Sequence, residues 1–361
     1  RSSRRARPVK RLLVVLLIVL QPCLAQTPRE RKLSNDVRYL ISQEGQRMKA
    51  GIAIVHLATG EKVSVDGARP YPLASVFKVH VLLELARQLQ EGRAGLSLEQ
   101  VVTLKETDRC IGSGTLQHQT AGSKVKIQRC VELMESISDN TATDVLFNRI
   151  GTGSVNKMLA ELGYQNSDVG MTNRAAYLIA LGMGQEWRGM SGREIAARWR
   201  KLDRTQRQAA VERILKENQG LTLSRFQAAE DASAARAAYA DDVAVATVVD
   251  NLASPDDLAD LLGRLYKNEL LDKRWTQYAL GILAQCKYRT RIPRLLPPGT
   301  TVYHKTGTIA GVVNDAGIIR LEDGTGLVVV VLVKDVARGS SERASTLIAQ
   351  IAELAYNAYS Q

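Results

Sequence analysis

The stretch Ala316-Gly-Ile-Ile-Arg-Leu-Glu-Asp-Gly-Thr-Gly-Leu-Val-Val-Val-Val-Leu-Val333 decides the fold. Two apolar runs, Ala316 to Leu321 and Leu327 to Val333, flank Asp323-Gly324, a dipeptide suited to a tight hairpin turn. Just upstream, Thr301-Val-Tyr-His304 reads as a further strand. At the other end of the chain, Gly51-Ile-Ala-Ile-Val-His-Leu57 is a buried strand. Ala58-Thr59-Gly60 turns it into the alternating partner Lys62-Val-Ser-Val65. After the hairpin, Ala344, Leu347, Ile348, Ile351 and Ala355 stand at helical spacing.

The long middle carries helix punctuation. Ser191-Gly-Arg-Glu194 and Thr205-Gln-Arg-Gln208 read as capping boxes, the second opening a helix that stops at Gly220. Ser254-Pro255 is a cap followed by proline at the first helical position, with Leu258, Leu261, Leu262 and Leu265 behind it. The pattern predicts an α+β, two-lobe chain. Residues 26–70 and 300–361 form an antiparallel sheet with flanking helices. Residues 71–299 form a mostly helical lobe, with an all-helical insertion at about 171–250. A cleft between the lobes is where a small-molecule site is expected.

With 361 residues, 45% apolar and 24% charged, the chain has a globular composition, which excludes bulk disorder, collagen and coiled coil. The net charge is +12, but Arg1, Arg4, Arg5, Arg7, Lys10 and Arg11 crowd into the start. The body mixes both signs and aromatics are only 5%, so no nucleic-acid partner is expected. The four histidines are scattered, with no H-x-x-x-H and no C-x-x-C, so neither a metal nor another cofactor is expected.

The basic start runs into nine apolar residues, Leu12 to Leu20, too few to span a bilayer. Cys23-Leu24-Ala25 follows as a small-residue cleavage site. Residues 1–25 are therefore expected to be a secretory signal, residues 26–361 a single catalytic domain, and the location periplasmic or secreted, with no membrane span and a monomeric state. Three cysteines remain in an oxidising compartment. A Cys110–Cys130 disulfide is preferred because the loop between them is short, with three buried free thiols as the alternative.

Ser75-Val-Phe-Lys78 precedes the apolar run from Val79 to Leu85. Serine and lysine three apart on a helix share a face, and a desolvated lysine can deprotonate a serine hydroxyl. The spacing alone is weak, because Ser123/Lys126 and Ser154/Lys157 repeat it. Ser138-Asp139-Asn140 stands between two helices. Its serine can return a proton to a leaving nitrogen and its amide can hold a carbonyl, although all three residues also suit a plain helix cap. Lys305-Thr306-Gly307 ends the strand from Thr301, offering a cation and a hydroxyl to a carboxylate and a bare backbone edge to a substrate. In this order the three motifs are far more specific than any one of them.

These motifs resemble the signature of class A β-lactamases and penicillin-binding proteins. Gly112-Ser-Gly-Thr-Leu-Gln117, Ile137-Ser-Asp-Asn-Thr-Ala-Thr143 and His304-Lys-Thr-Gly-Thr308 extend the similarity, which covers roughly Val37 to Tyr356 apart from the long middle stretch. The resemblance implies a β-lactamase-like fold and a serine hydrolase acting on a small β-lactam or acyl-D-Ala substrate. Ser75 would attack, Lys78 would take its proton, and Ser138 with Lys305 would protonate the departing nitrogen. Asn140 would hold the substrate side-chain amide, Thr306 with Lys305 its carboxylate, and the N–H groups of Ser75 and Thr308 the oxyanion beside Gly307.

The chain also departs from the family. The E-x-x-L-N that supplies the deacylating glutamate is absent. Glu230 and Asp231, then Asp241 and Asp242, are the candidate replacements, Glu230 first among them, and all four could equally be a solvated helix face. Asn314-Asp315 occupies the place where many members carry a carboxylate-binding arginine. The leading expectation is a secreted serine β-lactamase. The alternatives are a D,D-peptidase-like enzyme and a binder that stays acylated.

Overall fold

The computed structural model describes residues 26–235 and 238–360. The expected secretory signal at residues 1–25 lies outside the described residues. Helix α1 (Pro28–Glu44) opens on a capping box of Thr27 and Glu30, with proline in its first turn. Strands β1 (Lys49–His56) and β2 (Lys62–Val65) form the first hairpin, and β3 (Tyr71–Pro72) leads to a 3₁₀ turn at Ala74–Phe77 and helix α2 (Lys78–Gln90). A small ladder of β4 (Val101–Thr103) and β5 (Lys124–Lys126) precedes α3 (Ile127–Ser136), α4 (Asn140–Ile150), α5 (Thr152–Glu161) and α6 (Asn173–Ala180).

After α6 come four more helices, α7 (Gly192–Arg200), α8 (Arg204–Glu217), α9 (Leu223–Ala234) and α10 (Tyr239–Ala246). β6 (Leu252–Ala253), α11 (Pro255–Tyr266) and α12 (Lys273–Leu283) follow. The chain then returns to the sheet as β7 (Val302–Ile309), β8 (Val312–Arg320) and β9 (Gly326–Lys334), and ends on α13 (Ser341–Tyr359).

Among the described residues, five strands make one antiparallel sheet in the order β2-β1-β9-β8-β7, so both chain ends build it and β7 is an edge. Side chains alternate across a strand. On β9, Val329, Val331 and Val333 face a cluster closed by Leu33 and Val37 of α1 and Leu347, Ile348 and Ile351 of α13. Val328, Val330 and Leu332 face the larger core against α2, α4 and α11. Burial on both faces is why Leu327–Val333 carries no polar residue. A third core collects Trp187, Ile195, Trp199, Ile214 and Phe226 with Cys110 and Ile111; its other side chains run from Met171 to Val249.

Three local readings are corrected. The cap of α8 is Asp203, whose side chain accepts from Gln206 N while Gln206 reaches back, so Thr205 already lies inside the helix; the helix ends at Glu217 rather than Gly220. Strand β7 continues through Lys305-Thr306-Gly307 to Ile309 because β8 begins at Val312 and pairs with it throughout. Cys110 and Cys130 are not joined: all three described cysteines are free and buried. Cys110 packs in the third core, with Trp187 and Phe226, and Cys130 in the main core.

Candidate active site

Ser75 lies in the 3₁₀ turn that Ala74–Phe77 makes before α2. Ala74 just before it is in the left-handed region (φ 45°), a conformation that costs a non-glycine residue and needs external support. Asp250 supplies part of that support, accepting from Ala74 N at 2.6 Å. On the other side β7 presses close. A Cβ on Gly307 would fall 2.5 Å from Leu73 O and 3.1 Å from Ser75 N, so only glycine lets the strand edge approach the serine.

Ser138 is also left-handed (φ 60°), between α3 and α4. Asp139 fixes it there. Asp139 Oδ1 caps α4 at Ala142 N (2.9 Å), and Oδ2 accepts from Thr115 N (2.6 Å) and Leu116 N (2.8 Å), pinning the Gly112–Gln117 loop to the motif. Gly114 (φ 105°) crosses Asp139 where a Cβ would sit 2.2 Å from the carboxyl carbon. The cap reading of Asp139 thus holds and serves the site as well.

Two lysines converge on Ser138. Lys78 Nζ donates to Ser138 O (2.7 Å), Ser138 Oγ (3.1 Å) and Asn140 Oδ1 (2.9 Å). Lys305 Nζ donates to Ser138 Oγ (3.0 Å) and Thr306 O (3.0 Å). Both lysines are wholly buried. Burial, followed by the charge of Lys305, pushes Lys78 down to about 7 against the pull of Asp144, Asp139 and Glu135. Lys305 is also lowered, by burial. Asn140 Nδ2 donates to Ile111 O (3.0 Å), which leaves its carbonyl for Lys78. Thr306 and Gly307 follow Lys305 along the buried edge, and Thr308 emerges exposed at the mouth.

The other Ser/Lys spacings stay apart from this cluster. Lys126 pairs with Glu99, and Ser154 bonds Gly151 O while Lys157 pairs with Glu161. Among the proposed acids, Glu230 and Asp231 on α9 each accept from Gln227, and Asp241 pairs with Arg193. Burial raises the carboxyl of Glu230 above its usual range, and its charge acts on Tyr177 and Cys110 rather than on Lys78. Tyr177 reaches the Asn140 wall: a Cβ on Gly112 would meet Tyr177 Oη at 2.6 Å and Asn140 Nδ2 at 2.9 Å.

Three further groups escaped the sequence reading. Arg291 lies in the basic run before Ile292, where nothing in the spacing marks it. Its Nη1 donates to Gly307 O (2.9 Å) and Asn314 O (2.6 Å), and its Nη2 to Thr308 Oγ1 (2.6 Å). Asn314 and Asp315 are spent elsewhere, on Pro72 O and on His304 with Ile292 N. The second is Asp144, whose carboxylate accepts from Asn173 N (2.9 Å), Asn173 Nδ2 (2.8 Å) and Arg174 N (2.8 Å). This brings Asn173 beside Asn140, with Asn173 Nδ2 3.5 Å from Asn140 O. The third is Glu135, fully buried with neither carboxylate oxygen hydrogen-bonded; burial pushes it up to about 7 while Lys305 and Lys78 pull it down.

The helices between α6 and β6 are tied to this site. Arg174, buried across Phe226, donates to Arg109 O and Leu221 O, and Glu106 accepts from Leu223 N at 2.5 Å. Helix α10 packs on the β7–β8 turn, where a Cβ on Gly311 would meet Val243 at 2.6 Å. No group of histidine, cysteine and acidic side chains among the described residues is arranged to hold a metal ion, and no described helix is long and apolar enough to cross a membrane.

Comparison with known proteins agrees with this geometry. The model of a β-lactamase enzyme family matches residues 32–359. The chain is 24% identical over 320 residues to the extended-spectrum β-lactamase PER-1 of Pseudomonas aeruginosa, covering 86% of this chain and 83% of that protein. It is 23% identical to β-lactamase VEB-1 of the same organism, covering 97% and 98%. Among solved structures, PBP-A aligns with a TM-score of 0.65 at 25% identity, over 91% of this chain and 96% of that one.

Proposed function

The chain belongs to the β-lactamase enzyme family, and from that premise we propose that it is a serine hydrolase opening β-lactam rings through an acyl-enzyme on Ser75. The observation that carries the reading is the convergence of two buried lysines on one hydroxyl, Ser138 Oγ, beside the strained serine turn. Lys78, held down to about 7, is neutral in a large fraction of molecules at neutral pH and takes the Ser75 proton. The N–H groups of Ser75 and Thr308, on backbones that Gly307 allows to meet, stabilise the oxyanion. Ser138 gives its proton to the departing nitrogen and is resupplied from Lys78, with Lys305 holding the hydroxyl. Asn140 binds the substrate amide. Lys305, Thr306, Thr308 and Arg291 hold the carboxylate, Arg291 taking the part that Asn314 and Asp315 cannot. The order of basic, apolar and small residues before Gln26 supports export.

A second reading, a peptidase-like or stably acylated protein, is favoured by one observation. The side chain that the segment after α5 sets beside Asn140 and Asp144 is the amide of Asn173, not a carboxylate.

Intact-mass spectrometry with a penicillin, followed from seconds to hours, separates the readings. An adduct that forms and clears with many turnovers supports the hydrolase, and one that persists supports the second reading. Ser75→Ala abolishes the adduct, whereas changes at Ser123 or Ser154 leave it intact. Absence of any adduct on the wild-type chain refutes both.

A further inference from the structure

The helix that sets Asn173 beside Asn140 carries a second polar side chain to the same wall. Tyr177 follows Asn173 by four residues on α6, so the two share a face of that helix. The start of α6 is fixed: Asp144 accepts from Asn173 N and Arg174 N, and Thr172 caps Ala175 N. One turn later the Tyr177 ring meets Phe226 edge-on, with centroids 6.4 Å apart and planes at 90°. Phe226 is in turn held under the guanidinium of Arg174, 5.1 Å from the ring centroid. The tyrosine ring therefore has a set direction, and that direction brings its hydroxyl to Gly112.

Gly112 locates the hydroxyl against the site. A Cβ there would lie 2.6 Å from Tyr177 Oη and 2.9 Å from Asn140 Nδ2, so these two polar atoms are at most about 5.5 Å apart. One oxygen can bridge such a gap with two hydrogen bonds of about 2.8–2.9 Å. Both groups have a hydrogen to give. Asn140 Nδ2 spends one of its two on Ile111 O, while its carbonyl accepts from Lys78. Tyr177, partly exposed, has no hydrogen-bond partner for its hydroxyl among the described residues. Burial raises the phenol above its usual value, so it stays a protonated donor at neutral pH. Packing against Phe226 needs only the ring, and a phenylalanine would serve it equally.

Building on the proposed serine hydrolase function, we infer that Tyr177 is a substrate-binding residue that selects β-lactams acylated on the ring amine. Its hydroxyl donates to the carbonyl oxygen of the substrate's side-chain amide, the same oxygen that Asn140 Nδ2 holds. A β-lactam with a bare amine at that position offers no such oxygen and gains nothing from the hydroxyl.

The test compares the second-order rates of Ser75 acylation by benzylpenicillin and by 6-aminopenicillanic acid, read by quenched-flow intact mass, in the wild-type chain and in Tyr177→Phe. Phenylalanine keeps the contact with Phe226 and removes the hydroxyl alone. The preference for benzylpenicillin over 6-aminopenicillanic acid should fall about three- to tenfold, the loss of one neutral hydrogen bond. Both rates come from one preparation, so their ratio does not depend on the fraction of folded protein. An unchanged ratio, or an equal loss on both substrates as a purely structural part would give, overturns the assignment of Tyr177 while leaving Ser75 acylation standing. A wild-type chain that forms no adduct with either compound overturns the hydrolase reading, and this assignment with it.

Discussion

Replacing Lys305 by methionine should move the pH dependence of Ser75 acylation upward. Lys78 and Lys305 each place an ammonium nitrogen about 3 Å from Ser138 Oγ, so the two nitrogens are at most about 6 Å apart. At an effective dielectric of about 20, two charges at about 6 Å repel by roughly 3 kcal/mol, or about two pH units. Burial and this repulsion together bring Lys78 from 10.5 to about 7. The base must be neutral to accept the serine proton. The wild-type second-order acylation rate should therefore rise with pH through about 7 and level off above it. In Lys305→Met, burial still lowers Lys78 but the repulsion is gone, so the midpoint should rise by about one to two pH units. Stopped-flow acylation by a chromogenic cephalosporin from pH 5.5 to 9.5 measures this. The midpoint, not the amplitude, is diagnostic, because losing Lys305 also weakens substrate binding. A wild-type rate flat across that range, or a Lys305→Met midpoint unchanged or lower, would refute the assignment of Lys78 as the base.

Glu135→Gln should stabilise the protein, and more so in alkali. The folded pKa of Glu135, about 7, lies above its usual 4.5, so its favourable contribution is complete below 4.5 and lost as pH rises through about 7. At pH 8 the variant should gain up to about 3 kcal/mol, with a smaller gain at pH 5; thermal melts at both pH values check this, and equal gains would contradict it. Asp250→Ala should leave Ala74 N and Asn251 N without their acceptor, costing about 1–3 kcal/mol in urea denaturation. It should also slow acylation, since Ala74 at φ 45° loses its support beside Ser75. Normal acylation in a destabilised variant would confine Asp250 to a structural part.

What was legible in the sequence was whatever rests on local periodicity or a short motif. The hairpin from Ala316 to Val333 announced the sheet because its two apolar runs suit strands buried on both faces, and Asp323-Gly324 between them favours a tight turn. Ser191 and Ser254 announced helix starts because a cap acts within three residues. The motifs around Ser75, Ser138 and Lys305 were legible as short motifs, and the structure brings them into one cluster, which is the candidate site. Arg291, Asp250 and Asp144 were not legible, because each acts through long-range contacts to backbone atoms. Arg291 meets carbonyls 16 and 23 residues away, and Asp250 meets an amide 176 residues away. The Cys110–Cys130 pairing failed on similar grounds: a short chain distance does not stop two residues from facing different cores.

In the proposed reaction the hydrolytic half is the more demanding one for this chain, because the acids around the cluster are already engaged by other groups. Deacylation needs a base oriented toward the Ser75 ester, and the hydrogen bonds that these acids accept hold them in other directions. Asp139 accepts three backbone amides, Asp144 accepts two amides and the Asn173 side chain, and Asp250 accepts Ala74 N and Asn251 N. Glu135 has unbonded oxygens, but it is fully buried and its charge is coupled to Lys305 and Lys78. Under the proposed function, Lys78 is the group in the cluster whose neutral form would serve both steps, so that the two steps would share one titration. If so, the acyl-enzyme lifetime should shorten as pH rises through about 7, in parallel with the acceleration of acylation. Introducing a carboxylate where the amide of Asn173 now stands, as Asn173→Asp or Asn173→Glu, should decouple them, leaving acylation tied to Lys78 while deacylation persists to lower pH. Parallel loss of both steps in acid in the Asn173 variants would mean that this position does not reach the ester.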